Sequence, residues 1–260
     1  MTKMTTAQKL NNKFNRDLKK VLKRYTTIVV ESLEKLSIED GLIGQLDNAD
    51  KGARYLKVFE NGLEESGYYS LTEKALKANN ILYTEAVKRA GDTLGRQRFN
   101  GVSQKRINKM LKVDFQGMSN LGDTNITAIH NKLLEAIRDG KKRRVLVKEL
   151  KGEINKFQNH AETYIKTSRR EYAQLTEDEI AKSVGFGDEK DDIWEYIGAP
   201  LQDNSHKECI WVFEVHGVLF TNKEKIEFES GGLFPHTEPR WNCQHNFFIS
   251  AQDFEDLEAQ

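Results

Sequence analysis

The first segment of the chain has a hydrophobic pattern that predicts one long amphipathic helix. Its apolar residues recur with a period of about 3.6 residues, separated by lysines and arginines. They are Leu10, Phe14, Leu18, Val21, Tyr25, Ile28 and Leu36. We expect the helix to run from about Thr6 to Leu36, before Asp40-Gly41 and Gly44 interrupt the pattern.

Helical patterns continue as far as Gly185. A helix is expected over Ala49–Glu65, and a capping box at Ser70 and Glu73 predicts the start of another that extends to Arg98. A loop is expected over Gly117–Asp123. The other predicted helices are a short one around Ile107–Leu111, one over Ile126–Ile137 ended by Gly140, one over Leu146–Phe157 and a similar pattern over Ala161–Leu175, followed by a cap at Thr176 and Glu179.

The pattern changes after Gly187, where aromatic residues come in short alternating runs. Ile210–Phe213 and Val218–Phe220 are predicted strands joined by a turn at His216-Gly217. A small sheet of three or four strands is expected, covered by the preceding helices. The predicted fold is therefore α+β, with mostly long helices and a small antiparallel β-sheet in the C-terminal domain. We divide the chain into a helical N-terminal region, residues 1–150, and a helix-plus-sheet domain, residues 151–260.

Composition narrows the class of protein. The chain has 40 basic and 40 acidic residues, so its formal net charge is zero, and 31% of its residues are charged against 38% hydrophobic. This is polar for a globular protein but does not reach the composition of a disordered one. No apolar run approaches the ~20 residues that a membrane span needs. The N-terminus lacks the apolar core of a signal peptide, so we expect a cytosolic protein or a component of a particle assembled there.

Charge is distributed unevenly along the chain. Lys3–Arg24 contains many basic residues and only Asp17 as an acid, whereas Asp253–Glu258 is acidic. The densest basic cluster comprises Lys141, Lys142, Arg143 and Arg144. It is either a nucleic-acid contact on the phosphate backbone or a solvated helix start. No aromatic residues alternate with it, so a stacking platform for single strands is not indicated.

Four residues near the C-terminus have the types and spacing of a zinc site. His206 and Cys209 form one closely spaced pair, and Cys243 and His245 form the other. Two thiolates and two imidazoles suit tetrahedral zinc in a structural role. Two alternatives stay open: the cysteines are buried reduced thiols, or they form a disulfide, which a reducing cytosol disfavours.

The order of motifs over roughly the last hundred residues resembles a known family. The motifs follow one another in a fixed order: Lys166-Thr167 in a helix, then the aromatic strand Ile193–Ile197, then the acidic turn Asp203–His206 followed by Cys209. Gly217 and Phe220 come next, then a Gly/Pro loop with Gly231, Gly232 and Pro235, then the Asn-Cys signature Trp241–His245, and Phe247 begins a closing strand. They resemble the C-terminal domain of the phage Mu F-like, head-morphogenesis family of minor capsid proteins. Gln244 departs from the family's terminal Arg, and the usual Arg after the acidic residue is absent.

The resemblance implies a structural virion component rather than an enzyme. Such a protein would associate with the portal protein and other capsid proteins, be present in several copies in an assembly and take part in head assembly and DNA delivery. Residues 1–150 would then make the portal and assembly contacts. The protein would be found in the virion, and in the host cytoplasm during assembly, and it would have no membrane partner.

Two alternatives belong to other functional classes. A metal-dependent nuclease would use Asn242 and His245 near an ion held with Asp203 and Glu208. A DNA-binding accessory factor would use Lys3–Arg24 together with Lys141–Arg144, and its DNA affinity would fall steeply with salt.

Overall fold

The fold is α+β and is dominated by long helices, as the hydrophobic pattern predicts. The computed structural model describes residues 5–45, 48, 51–94, 104–183, 193–197, 211–213, 217–230 and 246–249. The helices are α1 (Thr6–Ser32), α2 (Gly52–Glu65), α3 (Tyr68–Lys77), α4 (Asn80–Leu94), α5 (Gln104–Arg138), α6 (Arg143–Ser183) and α7 (Asn222–Ser230). The strands are β1 (Ile38–Glu39), β2 (Leu42–Ile43), β3 (Ile193–Ile197), β4 (Leu219–Thr221) and β5 (Asn246–Ile249), and a 3-10 turn, Leu33–Lys35, follows α1.

Helix α1 confirms the prediction made for the first segment. Its buried positions recur every three or four residues and include Phe14, Leu18, Leu22, Tyr25 and Val29. Burial of these side chains removes apolar area from water and holds the helix in place. The basic residues lie between them, on the opposite side of the helix.

The helical region that follows Gly67 is interrupted at Ala78-Asn79, where the sequence has neither glycine nor proline. Ser70 and Glu73 lie inside α3 and do not cap a helix, so the predicted start at Ser70 is wrong. The predicted single helix to Arg98 is also wrong, because α3 ends at Lys77 and α4 begins at Asn80. Asn79, at the break, is fully buried, and its side-chain oxygen accepts a hydrogen bond from Arg169 Nε at 3.2 Å. A long-range polar contact thus accompanies the break.

The predicted loop over Gly117–Asp123 is wrong, since these residues lie inside the continuous helix α5. A Cβ on Gly117 would meet the hydroxyl of Tyr164, and one on Gly122 would come within 3.1 Å of Leu63 Cδ2 and 3.2 Å of Tyr68 Cε1. Both glycines therefore allow close packing of neighbouring side chains against a helix, and they do not interrupt it.

Helix α6 is likewise one element where two helices and a cap were predicted. It has 41 residues. Thr176 does not cap a helix start, because its hydroxyl donates to the carbonyl of Tyr172 at 2.8 Å within the helix. The predicted division between residues 150 and 151 falls inside α6.

A short hairpin follows α1. Strand β1 pairs antiparallel with β2, with Ile38 opposite Ile43 and Glu39 opposite Leu42. The two-residue loop is Asp40-Gly41, and both residues have positive φ, 49° and 79°. Asp-Gly is favoured in such tight turns because both positions need the left-handed region. The dipeptide that interrupts the helical pattern is thus a hairpin turn.

Within the described residues, the C-terminal sheet has three antiparallel strands in the order β4-β3-β5. The aromatic strand Ile193–Ile197 and the closing strand at Phe247 are confirmed as β3 and β5. The strand predicted at Ile210–Phe213 is wrong over the described residues 211–213, which are helical. Strand β4 pairs with β3 instead, with Trp194 opposite Phe220.

The contacts divide the chain into two compact units. One contains residues 1–7, 78–111 and 166–260, and the other contains residues 8–77 and 112–165. The C-terminal sheet belongs to the first unit, and most of α1 with the β1–β2 hairpin belongs to the second. Among the described helices, none is both long enough and apolar enough to cross a membrane.

Candidate functional site

The C-terminal sheet has an aromatic core that joins three strands to helix α6. Phe247 is central, because its ring centroid lies 4.9 Å from that of Tyr196 and 5.0 Å from that of Phe220. The buried cluster comprises Ala86, Ile180, Ala181, Trp194, Tyr196, Val212, Phe220 and Phe247. Offset and edge-on ring contacts of this kind add to the stabilisation from burial.

A chain of polar contacts fastens the closing strand to α6. The backbone N–H of Phe247 donates to Gln174 Oε1 at 3.0 Å, and Gln174 Nε2 donates to Asp178 Oδ1 at 3.0 Å. Lys225 Nζ from α7 donates to the same Asp178 oxygen at 3.2 Å. We call Gln174, Asp178 and Lys225 the C-terminal anchor. It links β5 and α7 to α6 by side chains one helical turn apart.

Lys225 also contacts the sheet directly. Its side chain is only 8% exposed, and Nζ lies 4.4 Å from the centre of the Trp194 ring. A cation over an indole face is attracted by the ring's quadrupole, more strongly when water is excluded. Lys225 therefore connects α7 to both α6 and β3.

A capping box that the hydrophobic pattern did not reveal positions Lys225. Glu224 Oε2 accepts hydrogen bonds from the Thr221 backbone N–H at 2.8 Å and from its hydroxyl at 2.9 Å. The Glu224 backbone N–H donates to Thr221 Oγ1 at 3.2 Å. The sequence signal was present, because Thr221 and Glu224 have the spacing of a capping box.

We expect Lys225→Met to lower the free energy of unfolding by about 1–2 kcal/mol, because it removes the ion pair with partly exposed Asp178 and the cation–π contact. Urea unfolding followed by tryptophan fluorescence measures this. Lys223→Met on the same helix is the matched control, since the Lys223 side chain is 84% exposed. Equal small effects of the two substitutions would contradict the anchoring role of Lys225.

A partly buried ion pair joins α6 to α4. Arg89 of α4 pairs with Glu177, whose side chain is 1% exposed, whereas 41% of the Arg89 side chain is exposed. Partial burial lowers the pKa of Arg89 to about 10, although Glu85 and Glu195 act in the opposite direction. The pair fixes α4 against α6 within the unit that carries the sheet.

Buried polar side chains continue along α6 towards its N-terminus. Burial lowers the pKa of Arg169, which donates to Asn79, to about 10. The hydroxyl of Tyr172 donates to Asn80 Oδ1 at 3.1 Å, and burial raises the pKa of Tyr172 to about 12. These contacts pair a donor with an acceptor across two elements, so they hold helices together.

The predicted zinc ligands cannot be placed on this frame. His206, Cys209, Cys243 and His245 all lie outside the described residues, and the zinc site stays a prediction. Asn246, which follows His245 in the chain, is the first residue of β5 and pairs with Ile197. In the part of the chain that the structure describes, no group of three or more His, Cys, Asp or Glu is placed to hold a metal ion.

The four residues of the predicted basic cluster differ in exposure and pairing. Lys141 lies in the turn before α6 and is partly buried, and its Nζ pairs with Glu149 Oε1 at 3.2 Å. Lys142, Arg143 and Arg144 are exposed at the start of α6. Three of the four cations are thus available to a partner, and the fourth forms an internal ion pair.

A larger basic surface lies along α1. Its exposed side carries Lys9, Lys13, Arg16, Lys19, Lys20, Lys23 and Arg24. Asp17 lies near two of them, 3.6 Å from Arg16 Nε and 3.9 Å from Lys20 Nζ. We call these seven cations the α1 basic face. From Lys9 to Arg24 it is about 22 Å long at the rise of an α-helix.

Comparisons with protein-family models, curated proteins and solved structures return no match for this chain.

Proposed function

We propose that this protein is a minor capsid protein of a phage or prophage head, a structural component associated with the portal. The observation that carries the proposal is the C-terminal sheet. The residues that resemble the Mu F-like family are far apart in sequence, yet several of them meet in one aromatic core: Trp194, Tyr196, Phe220 and Phe247. The packing of these four residues in one core agrees with the single C-terminal domain that the resemblance implies.

The polar contacts around that core support a structural role. The C-terminal anchor and the Arg89–Glu177 pair join α4, α6, α7 and β5. These contacts join segments that are far apart in sequence. Such contacts rigidify a domain, as a structural component of an assembly requires. On this proposal His206, Cys209, Cys243 and His245 complete a closed structural zinc site, and metal analysis of chelator-free protein tests it.

The proposal implies a stable complex with the portal protein of the same phage. Co-expression of the two proteins, followed by size-exclusion chromatography, tests it. We expect co-elution at physiological salt, with the exposed sides of the long helices as the contact surface. Separate elution of two folded proteins would contradict the portal association.

A second candidate function, contact with packaged DNA, is favoured by the α1 basic face. Seven cations on one exposed helix side, with one acid beside them, suit the phosphate backbone of duplex DNA. Its length matches about six base pairs at the rise of B-DNA. We infer that this surface contacts DNA without reading its sequence.

We expect Lys9→Gln/Lys13→Gln/Lys20→Gln to bind duplex DNA more weakly. The slope of the logarithm of the association constant against the logarithm of salt concentration should become less steep by about 3. Fluorescence anisotropy across a salt series measures both quantities. The comparison variant is Lys142→Gln/Arg143→Gln/Arg144→Gln, which tests the predicted cluster at the start of α6. An unchanged slope in both triple variants would exclude both surfaces as DNA contacts.

The nuclease alternative has no supporting observation among the described residues. Asp203, Glu208, Asn242 and His245, on which it depends, all lie outside them.

A further inference from the structure

A small cleft lies beside the end of α1. It has a volume of about 230 Å³ and lies between the end of α1 with its 3-10 turn and the first two turns of α2. The described residues that line it are Ser32, Lys35, Lys51, Arg54, Tyr55 and Val58. Three of these six are cationic, and none is acidic.

The cations of the cleft are not neutralised by described acids. Lys35 and Arg54 are exposed, and neither forms an ion pair with another described residue. Lys51 Nζ donates to the neutral hydroxyl of Ser37 at 3.2 Å, and no acid of the described residues pairs with it. Three like charges around one small cleft repel each other, so an anion bound among them lowers the electrostatic energy.

The cleft has a fixed frame. Tyr55 forms part of its lining, and its hydroxyl donates to the Ser32 carbonyl at 3.1 Å, which joins α2 to the end of α1. Asn48 is fully buried, and its side-chain nitrogen donates to the carbonyls of Ser37 at 3.0 Å and Gly44 at 2.6 Å. The Asn48 carbonyl accepts from the Lys51 backbone N–H at 3.1 Å. The backbone positions of the cationic residues are therefore set before any ligand binds.

We propose that this cleft binds a phosphate group. A guanidinium offers a planar pair of donors that matches phosphate oxygens, and the two ammonium groups add compact charges that match a dianion or trianion. The apolar parts of Tyr55 and Val58 leave room for the group that carries the phosphate. The phosphate belongs either to a small phosphorylated compound or to a nucleic-acid backbone. This inference does not depend on the proposed capsid role or on the α1 basic face.

Isothermal titration of the full chain with pyrophosphate tests the proposal. We expect saturable binding at one site, weakened about tenfold by Arg54→Gln and by Lys51→Gln, because each removes a charge-assisted hydrogen bond. Lys57→Gln is the matched control, since Lys57 is an exposed cation of α2 outside the cleft. Thermal unfolding of each variant checks that the fold is kept.

Competition distinguishes the two sources of phosphate. The cleft is assigned to a nucleic-acid backbone if a short DNA duplex displaces pyrophosphate. This displacement should be lost in Arg54→Gln and kept in Lys9→Gln/Lys13→Gln/Lys20→Gln. Failure of the duplex to displace pyrophosphate assigns it to a small phosphorylated compound. Binding that does not saturate, or equal weakening by Lys57→Gln and Arg54→Gln, would overturn the proposal, because either result means general attraction of anions to a basic surface.

Discussion

Phe247→Ala should lower the free energy of unfolding of the C-terminal sheet region by about 3–5 kcal/mol, the range for removing a buried phenylalanine ring. Phe247 is 2% exposed and contacts the rings of Tyr196 and Phe220. Its loss leaves a cavity between the central strand and α6, which neighbouring side chains fill only in part. Urea unfolding monitored by tryptophan fluorescence measures the effect. All three tryptophans, at positions 194, 211 and 241, belong to the C-terminal part of the chain that contains Phe247, so the signal reports on this region.

Phe213→Ala is the control for this experiment. Phe213 lies 6.3 Å from the Tyr196 ring centre, but it is 40% exposed. We expect its removal to cost less than about 1 kcal/mol. Similar losses from the two substitutions would mean that Phe247 is not at the centre of this core.

Arg89→Met should destabilise the same unit by about 3 kcal/mol, because it leaves the buried Glu177 carboxylate without its cation. The loss is placed at the lower end of the usual range, since part of the Arg89 side chain is in contact with water. Arg89 also lies near Glu85 and Glu195, so its removal leaves further negative charge unopposed. Urea unfolding of the variant measures the loss.

Two further variants separate this ion pair from a general effect of removing arginine. Arg138→Met removes a partner of Asp139 where both side chains are exposed, and we expect a much smaller loss of stability than for Arg89→Met, because water screens the exposed pair. Arg89→Met/Glu177→Met replaces both charges by apolar side chains and should recover most of the lost stability. A double variant no more stable than Arg89→Met would show that the buried charge is not the source of the loss.

The elements that the sequence predicted are those whose signal is local. Helix α1 follows from its apolar spacing, and β3 and β5 follow from short aromatic runs. The Asp40-Gly41 turn has an equally local signal, because Asp-Gly both interrupts a helical pattern and favours a hairpin turn. The spacing of Thr221 and Glu224 is also a local signal, because a Thr followed three residues later by a Glu is typical of a capping box and predicts the start of α7.

The elements that were missed depend on contacts between distant residues. Gly117 and Gly122 suggest a loop when neighbours along the chain are considered, but each lies where a tyrosine packs against α5. The break after α3 coincides with Asn79, whose partner Arg169 is 90 residues away. The C-terminal anchor and the cleft at Arg54 each combine residues from separate segments. No periodicity along the chain encodes such combinations.

The proposed capsid role is tested most directly by a mass-spectrometric inventory of heads purified from the phage or induced prophage that encodes this chain. We expect peptides of this protein in the purified heads, at a lower copy number than the major capsid protein. We also expect these peptides to be lost from heads assembled without the portal protein. Complete heads that contain the portal but no peptides of this chain, while the protein is abundant in the producing cells, would contradict the proposed capsid role.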